Sequence, residues 1–364
     1  MPTLDSPLQL TNVFKPKIWG KADLAPLFSI ASSQKTPSDA SRFRSALDDD
    51  ELIGEVWITD DASCFLNGPT AGMTLAEAGE RFGQDLYGSA WTGRRFPLLA
   101  KYIFTTDWLS VQVHPDDDYA RVHEPGNVGK CEMWYIIRSD PGGGFLLGMK
   151  PDVTKQKLES AFQRGASRDL LEHYQPGAGE AIYIPSGTIH ALGPGLVLFE
   201  VEENSDLTYR LDDFGRVGLD GKPRPLHIQK GLEVIRFDAP TYRDLPRLEF
   251  REEYGIQRYV LACRFFALQE LTLQKTASFE GSRARVEVIS IVEGEGRVES
   301  YAGWLSYRPG ETWLIPPATS RYRLVPRQQT RLLKFYVPDL EQDFREPLAK
   351  RGFTAEEINQ VVFG

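Results

Sequence analysis

The stretch Leu109-Ser110-Val111-Gln112-Val113-His114-Pro115 alternates apolar and polar side chains. That spacing belongs to a β-strand, whose successive side chains point to opposite faces. Gln112 and His114 therefore share one face, and Val111 and Val113 share the other. The i, i+2 spacing recurs at Lys130 and Glu132, just ahead of the apolar run Met133-Trp134-Tyr135-Ile136-Ile137. Later, Pro185-Ser186-Gly187-Thr188-Ile189-His190 supplies a turn and a further imidazole. Gln112, His114, Glu132 and His190 thus offer an amide oxygen, two imidazoles and a carboxylate, which can make a four-ligand site for a divalent metal. Ligands fed from three separated strands require a β fold that brings distant segments together.

Working outward, strand-like runs cover Leu52–Thr59, Leu98–Phe104, Leu109–His114, Met133–Arg138, Ala181–Pro185 and Leu196–Glu202. Turn signals separate them, among them Asn67-Gly68-Pro69, Pro141-Gly142-Gly143-Gly144 and Pro176-Gly177-Ala178-Gly179. This density of strands and turns predicts an antiparallel barrel or jelly roll. Helices interrupt it. Thr74-Leu75-Ala76-Glu77 is a capping box that opens a helix to about Leu86. Asp152–Gln163 has the apolar spacing of one helical face, and Ser167–Tyr174 reads as a second short helix. Thr354-Ala355-Glu356-Glu357 starts a capped helix near the C-terminus.

From about Thr241 the strand pattern restarts, with runs at Tyr259–Leu271, Arg285–Ile291, Gly296–Glu299 and Thr312–Ile315. Arg308-Pro309-Gly310-Glu311-Thr312-Trp313-Leu314-Ile315-Pro316 echoes the stretch from Gln175 to Pro185: Pro-Gly, a Glu, an apolar strand, then Pro. The expected architecture is mainly β, with two jelly-roll β-barrels and inserted α-helices. Residues 1–240 carry the metal-type residues and the helical insertions at about 74–86 and 152–174. Residues 241–364 form a second, metal-free unit with a C-terminal helix, since the last histidine of the chain is His227.

Composition narrows the function. The chain has 364 residues, 41% of them hydrophobic and 26% charged, as a soluble globular protein with room for two cores does. A net charge of −9 argues against nucleic acid and anionic membranes as partners, while leaving room for a small anionic substrate. Cys64, Cys131 and Cys263 are odd in number and far apart, which suits a reducing cytoplasm, and Cys131 reads as a packing residue. The N-terminus lacks the charged and apolar regions of a signal peptide, and no run approaches the roughly 18 apolar residues of a membrane span.

Taken in order, these strings resemble the type I phosphomannose isomerases of the shorter bacterial kind. The resemblance rests on Lys17-Ile18-Trp19-Gly20, Gly54-Glu55-Val56-Trp57, Phe96-Pro97-Leu98-Leu99-Ala100-Lys101, Leu109–Asp117, Gly129–Tyr135, Ile184–Ala191 and Asn204–Arg210. It implies a cupin-type fold, usually one Zn²⁺ per chain with other divalent metals possible, and interconversion of mannose 6-phosphate and fructose 6-phosphate through a cis-enediol. The family's ligand positions fall on Gln112, His114, Glu132 and His190. Its active-site Arg falls on Arg210, its Lys on Lys130, and an acidic residue about ten positions before the Arg on Glu200. Two strings depart from the family pattern, Leu211-Asp212-Asp213-Phe214-Gly215-Arg216 and Ile58-Thr59-Asp60-Asp61-Ala62-Ser63-Cys64.

The chemistry suits these residue types. A divalent cation near the C1 and C2 oxygens stabilises a developing enediolate. Two neutral imidazoles, one carboxylate and one amide leave it a net charge near +1. Arg210 and Lys130 can meet a phosphate or charge at the reacting end. Glu200 is the first candidate for the proton shuttle, Lys130 the second and a metal-bound water the third. Trp19 reads as a packing aromatic or pocket wall. His123, His173 and His227 read as loop, helix and surface histidines, and the acidic runs Asp48–Glu51 and Asp116–Asp118 as solvated turns, with Asp117 placed to support a ligand. Two other functions fit the strings: an iron-dependent cupin oxygenase, against which Gln112 and the cations argue, and a non-catalytic sugar-binding cupin. Hexose 6-phosphate is the expected partner of the isomerase, as a monomer or a homodimer.

Overall fold

Glu132–Ser139 reads as an apolar run with little alternation because both of its faces are buried. Trp134 and Ile136 point into a barrel core with Ile103, Leu192 and Leu198. Met133, Tyr135 and Ile137 face the other way, into a cluster with Val260, Leu268, Val288, Leu333 and Phe335 of the second half. Period-two geometry thus hands one residue set to each core.

The computed structural model describes residues 3–28, 51–89, 93 and 95–364, so most of the acidic run Asp48–Glu51 lies outside the described residues. The strands of the first half, in chain order, are β1 (Leu8–Leu10), β2 (Val13–Lys21), β3 (Ile53–Trp57), β4 (Leu98–Phe104), β5 (Val111–Val113), β6 (Glu132–Ser139), β7 (Phe145–Met149), β8 (Leu171–Tyr174), β9 (Ala181–Ile184), β10 (His190–Leu192), β11 (Leu196–Glu203) and β12 (Tyr209–Asp212). Those of the second half are β13 (Leu248–Glu252), β14 (Gly255–Cys263), β15 (Ala267–Leu273), β16 (Ala277–Phe279), β17 (Glu287–Glu293), β18 (Gly296–Ser300), β19 (Gly303–Tyr307), β20 (Thr312–Ile315), β21 (Tyr322–Pro326), β22 (Thr330–Tyr336) and β23 (Val362–Phe363).

One sandwich pairs the sheet β2-β3-β4-β11-β6-β9 with the sheet β12-β5-β10-β7-β8. The other pairs β1-β20-β17-β22-β15-β14-β13 with β16-β21-β18-β19. The orders β4-β11-β6-β9 and β15-β22-β17-β20 are the same path traced twice, which is the structural form of the repeated Pro-Gly-Glu-strand-Pro string. The chain has a mainly β, cupin-type fold. The first strand departs from the division expected at residue 240: β1 adds to the edge of the second sandwich, with Leu8 opposite Leu314.

Outside the small sheet of the first sandwich, Val111, Val113, Ala191, Tyr209 and Leu211 pack against Leu158 and Phe162 of the helix Lys155–Gln163 and Leu232 of the helix Ile228–Val234. These helices close the outer face, so the polar residues of β5, β10 and β12 turn inward.

Some local expectations fail for physical reasons. The helix opened by the Thr74/Glu77 capping box runs Leu75–Phe82 and then breaks at Gly83, whose φ of 49° leaves the helical region, before a short turn at Gln84–Tyr87. Ser167–Tyr174 is not a second helix: a short 3₁₀ turn, Ser167–Leu170, leads into β8, which pairs with β7, so tertiary pairing overrides local preference. His173 is therefore a strand residue, and His123 ends the helix Asp117–His123 rather than lying in a loop. The acidic run Asp116–Asp118 is the N-terminus of that helix, with Asp116 as its cap. The run Tyr259–Leu271 is two antiparallel strands, β14 and β15. No helix among the described residues is long and apolar enough to cross a membrane.

Candidate metal centre

The centre lies between the two sheets of the first sandwich. On the small sheet, Arg210, Gln112 and His190 stand opposite one another across β12, β5 and β10. On the large sheet, Glu132 of β6 pairs with Glu202 of β11, and Glu200 lies between Lys101 and Trp134. Three backbone bonds and one side-chain bond stitch the contributing segments together. Gly187 N–H donates to the His114 carbonyl at 2.8 Å, Lys130 N–H to Pro115 at 2.9 Å, and Thr188 N–H to Pro185 at 3.1 Å. Ser186 Oγ donates to the Lys130 carbonyl at 3.0 Å. Gly187 sits at φ 86°, which explains the glycine in the Pro-Ser-Gly-Thr turn.

His114, Glu132 and His190 are fully buried and their candidate ligand atoms lie within 4.8 Å of one another. Glu132 Oε2 is 3.4 Å from His114 Nε2, and Glu132 Oε1 is 3.2 Å from His190 Nε2. The other ring nitrogens are committed: His114 Nδ1 meets the Leu207 carbonyl at 2.9 Å, and His190 Nδ1 the Thr188 carbonyl at 2.9 Å. A carbonyl only accepts, so each Nδ1 carries the proton and each Nε2 presents a lone pair. Burial reinforces this by pushing His114 down to about 4 and lowering His190 as well. Two lone pairs therefore confront a carboxylate. Both Glu132 oxygens and His114 Nε2 lack a hydrogen-bond partner among the described residues. Acceptors turned on one another in a buried site fit a cation between them. The Gln112 amide lies beside this set, 3.2 Å from His190 Nε2. Turning that amide about its axis presents Oε1 to the same point.

Around this set lies a charged belt. Lys130 Nζ lies 3.1 Å from Glu132 and 2.9 Å from Glu202. Lys101 Nζ lies 2.8 Å from Glu202 and 3.3 Å from Glu200. Although burial opposes it, these carboxylates hold both lysines above the usual ammonium range. Burial acts to raise Glu132, but Lys130 holds it well below the usual carboxylate range. Glu200 accepts the Trp134 indole N–H at 2.8 Å.

Lys130, Glu200, Arg210 and Gln112 all line one cavity of about 260 Å³, together with Trp19, Lys101, Arg224 and His227. Trp19 is both core and wall. Arg210 forms no ion pair with Asp206 or Asp212. One of its terminal nitrogens donates to the Pro225 carbonyl at 3.1 Å, and its Nε lacks a partner among the described residues. Its burial, with Arg224 and Arg216 close by, makes its positive charge costly and so favours an anion. His227 is not a surface residue: it is half-buried, accepts the Arg210 backbone N–H at 3.2 Å and reaches the cavity. Asp117 accepts the Gly129 N–H at 2.9 Å, behind the segment leading to Lys130. Cys131 packs with its Sγ 3.3 Å from the Tyr183 hydroxyl.

In the second sandwich, the strand pair equivalent to β5 and β10 brings Phe279 opposite Tyr322, with stacked rings 5.5 Å apart. Aromatic side chains occupy the place where the first sandwich gathers ligands.

The neutral imidazoles predict a pH effect in chelator-treated protein. The unfolded chain takes up a proton at the ordinary histidine value of 6.5, whereas folded His114 does so only at about 4. More protons bind the unfolded state in that window, so stability falls as pH drops through it. The urea midpoint should therefore decrease between pH 7 and pH 5, with His114 accounting for about 2 kcal/mol. Equal midpoints would show that the ring is not neutral in the folded state.

Fold and site together define a two-barrel cupin with a buried His-Glu-His centre beside a cationic cavity. The family model of the phosphomannose isomerase type I catalytic domain matches residues 8–129. Mannose-6-phosphate isomerase ManA of Bacillus subtilis is 34% identical over 322 residues, covering 87% of this chain and 95% of that protein. A crystal structure of mannose 6-phosphate isomerase from Bacillus subtilis superposes with a TM-score of 0.79 at 27% identity, covering 92% of this chain and 100% of the other. A zinc-bound mannose 6-phosphate isomerase shares the fold, with a TM-score of 0.67 at 15% identity, covering 91% of this chain and 99% of the other. The chain belongs to the type I phosphomannose isomerases.

Several cavity and belt residues carried no role in the sequence reading. Lys101 and Glu202 left a signal: each is a charge on the inward parity of an otherwise apolar strand, which requires a buried partner. Arg224 and His227 left none, because the segment after β12 has no periodicity.

Proposed function

We propose that this chain interconverts mannose 6-phosphate and fructose 6-phosphate, with Gln112, His114, Glu132 and His190 holding one divalent ion, Zn²⁺ by preference. The observation that carries this reading is the confrontation of two Nε2 lone pairs with both oxygens of Glu132, at the edge of a cavity lined by cations. Nitrogen and carboxylate donors suit zinc. When bound, such an ion polarises the sugar carbonyl and stabilises the negative charge that develops on its oxygen.

The rest follows from the side chains. Lys130, kept as an ammonium by Glu132 and Glu202, is a poor base at neutral pH. It fixes the ligand Glu132 and adds positive charge beneath the reacting carbons. Glu200 faces the cavity, with one oxygen held by the Trp134 indole and the other by Lys101. It takes the proton from C2 of the aldose and returns it to C1, passing through a cis-enediol. Arg210, with an unpaired Nε, takes the anionic oxygens of the substrate, Arg224 extends the cationic wall for the phosphate, and the neutral His227 ring offers its Nε2–H. The second barrel takes no part in the reaction. Free cysteines and a net charge of −9 support a cytoplasmic enzyme whose partner is a small hexose phosphate rather than nucleic acid or membrane.

Chelator-stripped enzyme should lose conversion of mannose 6-phosphate and regain it with Zn²⁺. A fully metallated sample inert on every hexose 6-phosphate would overturn the reading. Arg210→Ala should retain its metal and lower kcat/KM by about 10²-fold or more, on the order of 3 kcal/mol of transition-state stabilisation. A loss within about tenfold would contradict the role given to Arg210.

A further inference from the structure

A second cavity, of about 560 Å³, opens on the second barrel between the N-terminal segment, the turn at Asn67–Pro69 and the hairpin of β18 and β19. It shares no lining residue with the metal-centre cavity. We propose that it binds a neutral, hydroxyl-rich ring: a pyranoside or short oligosaccharide, at a site separate from the reaction.

Charge separates the two cavities. The metal-centre cavity is lined by Lys17, Lys101, Lys130, Arg210 and Arg224 alongside Glu55, Glu200 and Asp206, whereas the second has Asp5 as its one charged lining residue among the described residues. Among the described residues that wall holds no cation to meet a phosphate. Its volume lies within the range of small-molecule sites.

Aromatic surface argues for a ring-shaped guest. Tyr301 and Trp304, at the hairpin, are 69% and 59% exposed. Both line the cavity, and the buried Trp313 forms another part of its wall. Large apolar faces left in water beside a cavity mark a surface that gains by being covered. The C–H face of a pyranose covers such a ring while its hydroxyls remain free to hydrogen-bond.

Polar groups are fixed around these rings. Asp5 accepts the Thr3 hydroxyl at 2.9 Å and is hydrogen-bonded by Tyr301. Asn67 is locked by the Gln9 N–H at 2.6 Å and the Pro7 carbonyl at 2.9 Å. Each keeps hydrogen-bonding capacity for a hydroxyl. The indole N–H of Trp313 is buried and has no acceptor among the described residues.

The test labels the full-length protein with 5-fluorotryptophan and follows its seven tryptophans by fluorine NMR. Methyl α-mannopyranoside and mannobiose are titrated as neutral probes, with inorganic phosphate as the charged control. The expected result is a saturable shift of the Trp304 resonance with neutral saccharide at a Kd of about 1–10 mM, and none with phosphate. Trp304→Ala, an exposed change, should abolish saturable binding while isomerase activity stays within twofold. Tyr301→Ala should weaken it. The proposal is overturned if no neutral probe shifts Trp304, if binding survives Trp304→Ala, or if phosphate produces the same shift.

Discussion

Replacing Glu132 with glutamine should empty the centre of metal and lower kcat/KM by on the order of 10³-fold or more, about 4 kcal/mol of transition-state stabilisation. The carboxylate faces one imidazole nitrogen with each oxygen. The amide keeps the shape but loses the charge, and it offers an N–H to one of the two lone pairs. That N–H satisfies an acceptor which otherwise waits for a cation. Metal content, measured by mass spectrometry, should fall together with activity, while the metal-free fold keeps or gains stability. Lys130 retains Glu202 as a partner, 2.9 Å away. A glutamine variant with a full complement of metal and near-normal turnover would remove Glu132 from the ligand set.

Lys101→Met should cost about 3–5 kcal/mol of folding stability, the usual consequence of stripping one partner from a buried charge cluster. The ammonium is almost fully buried and lies within 3.3 Å of both Glu200 and Glu202. Methionine fills a similar volume but leaves those carboxylates facing each other in a site with little water. Activity should fall as well, because Glu200 keeps the Trp134 indole and loses its second anchor. The double variant Lys101→Met/Glu202→Gln should recover part of the stability, since one uncompensated charge is gone. Urea denaturation of the single and double variants measures this. A single variant as stable as the parent, or a double variant less stable than the single, would show that the belt is not an electrostatic unit.

Much of this centre could be read from the chain because β-strand geometry is simple. Lys101, Glu132 and Glu200 fall on the inward face of the large sheet, and Gln112 on that of the small sheet, by parity alone once the strands are known. The repeated Pro-Gly-Glu-strand-Pro string marked β9 and β20, which occupy matching places in the two sandwiches. The reading failed where partners lie far off in sequence. Ser167–Tyr174 has polar and apolar residues that suit a helix, but the open edge of β7 captures its second half as a strand. His227 looked like a surface residue because the Pro-rich segment before it has no strand or helix periodicity. The chain folds back after β12 to place it against the Arg210 backbone. β1 could not be placed in the second sandwich from three apolar residues, because its partner, β20, lies some three hundred positions away.

The most direct test is an anomalous difference map at the zinc edge from crystals of active enzyme. It should show one peak per chain between the two sheets of the first sandwich, about 2.0–2.1 Å from His114 Nε2 and His190 Nε2 and about 2.0–2.2 Å from a Glu132 oxygen. Crystals of fully active enzyme with no metal at that point, or with the metal held by other residues, would contradict the account.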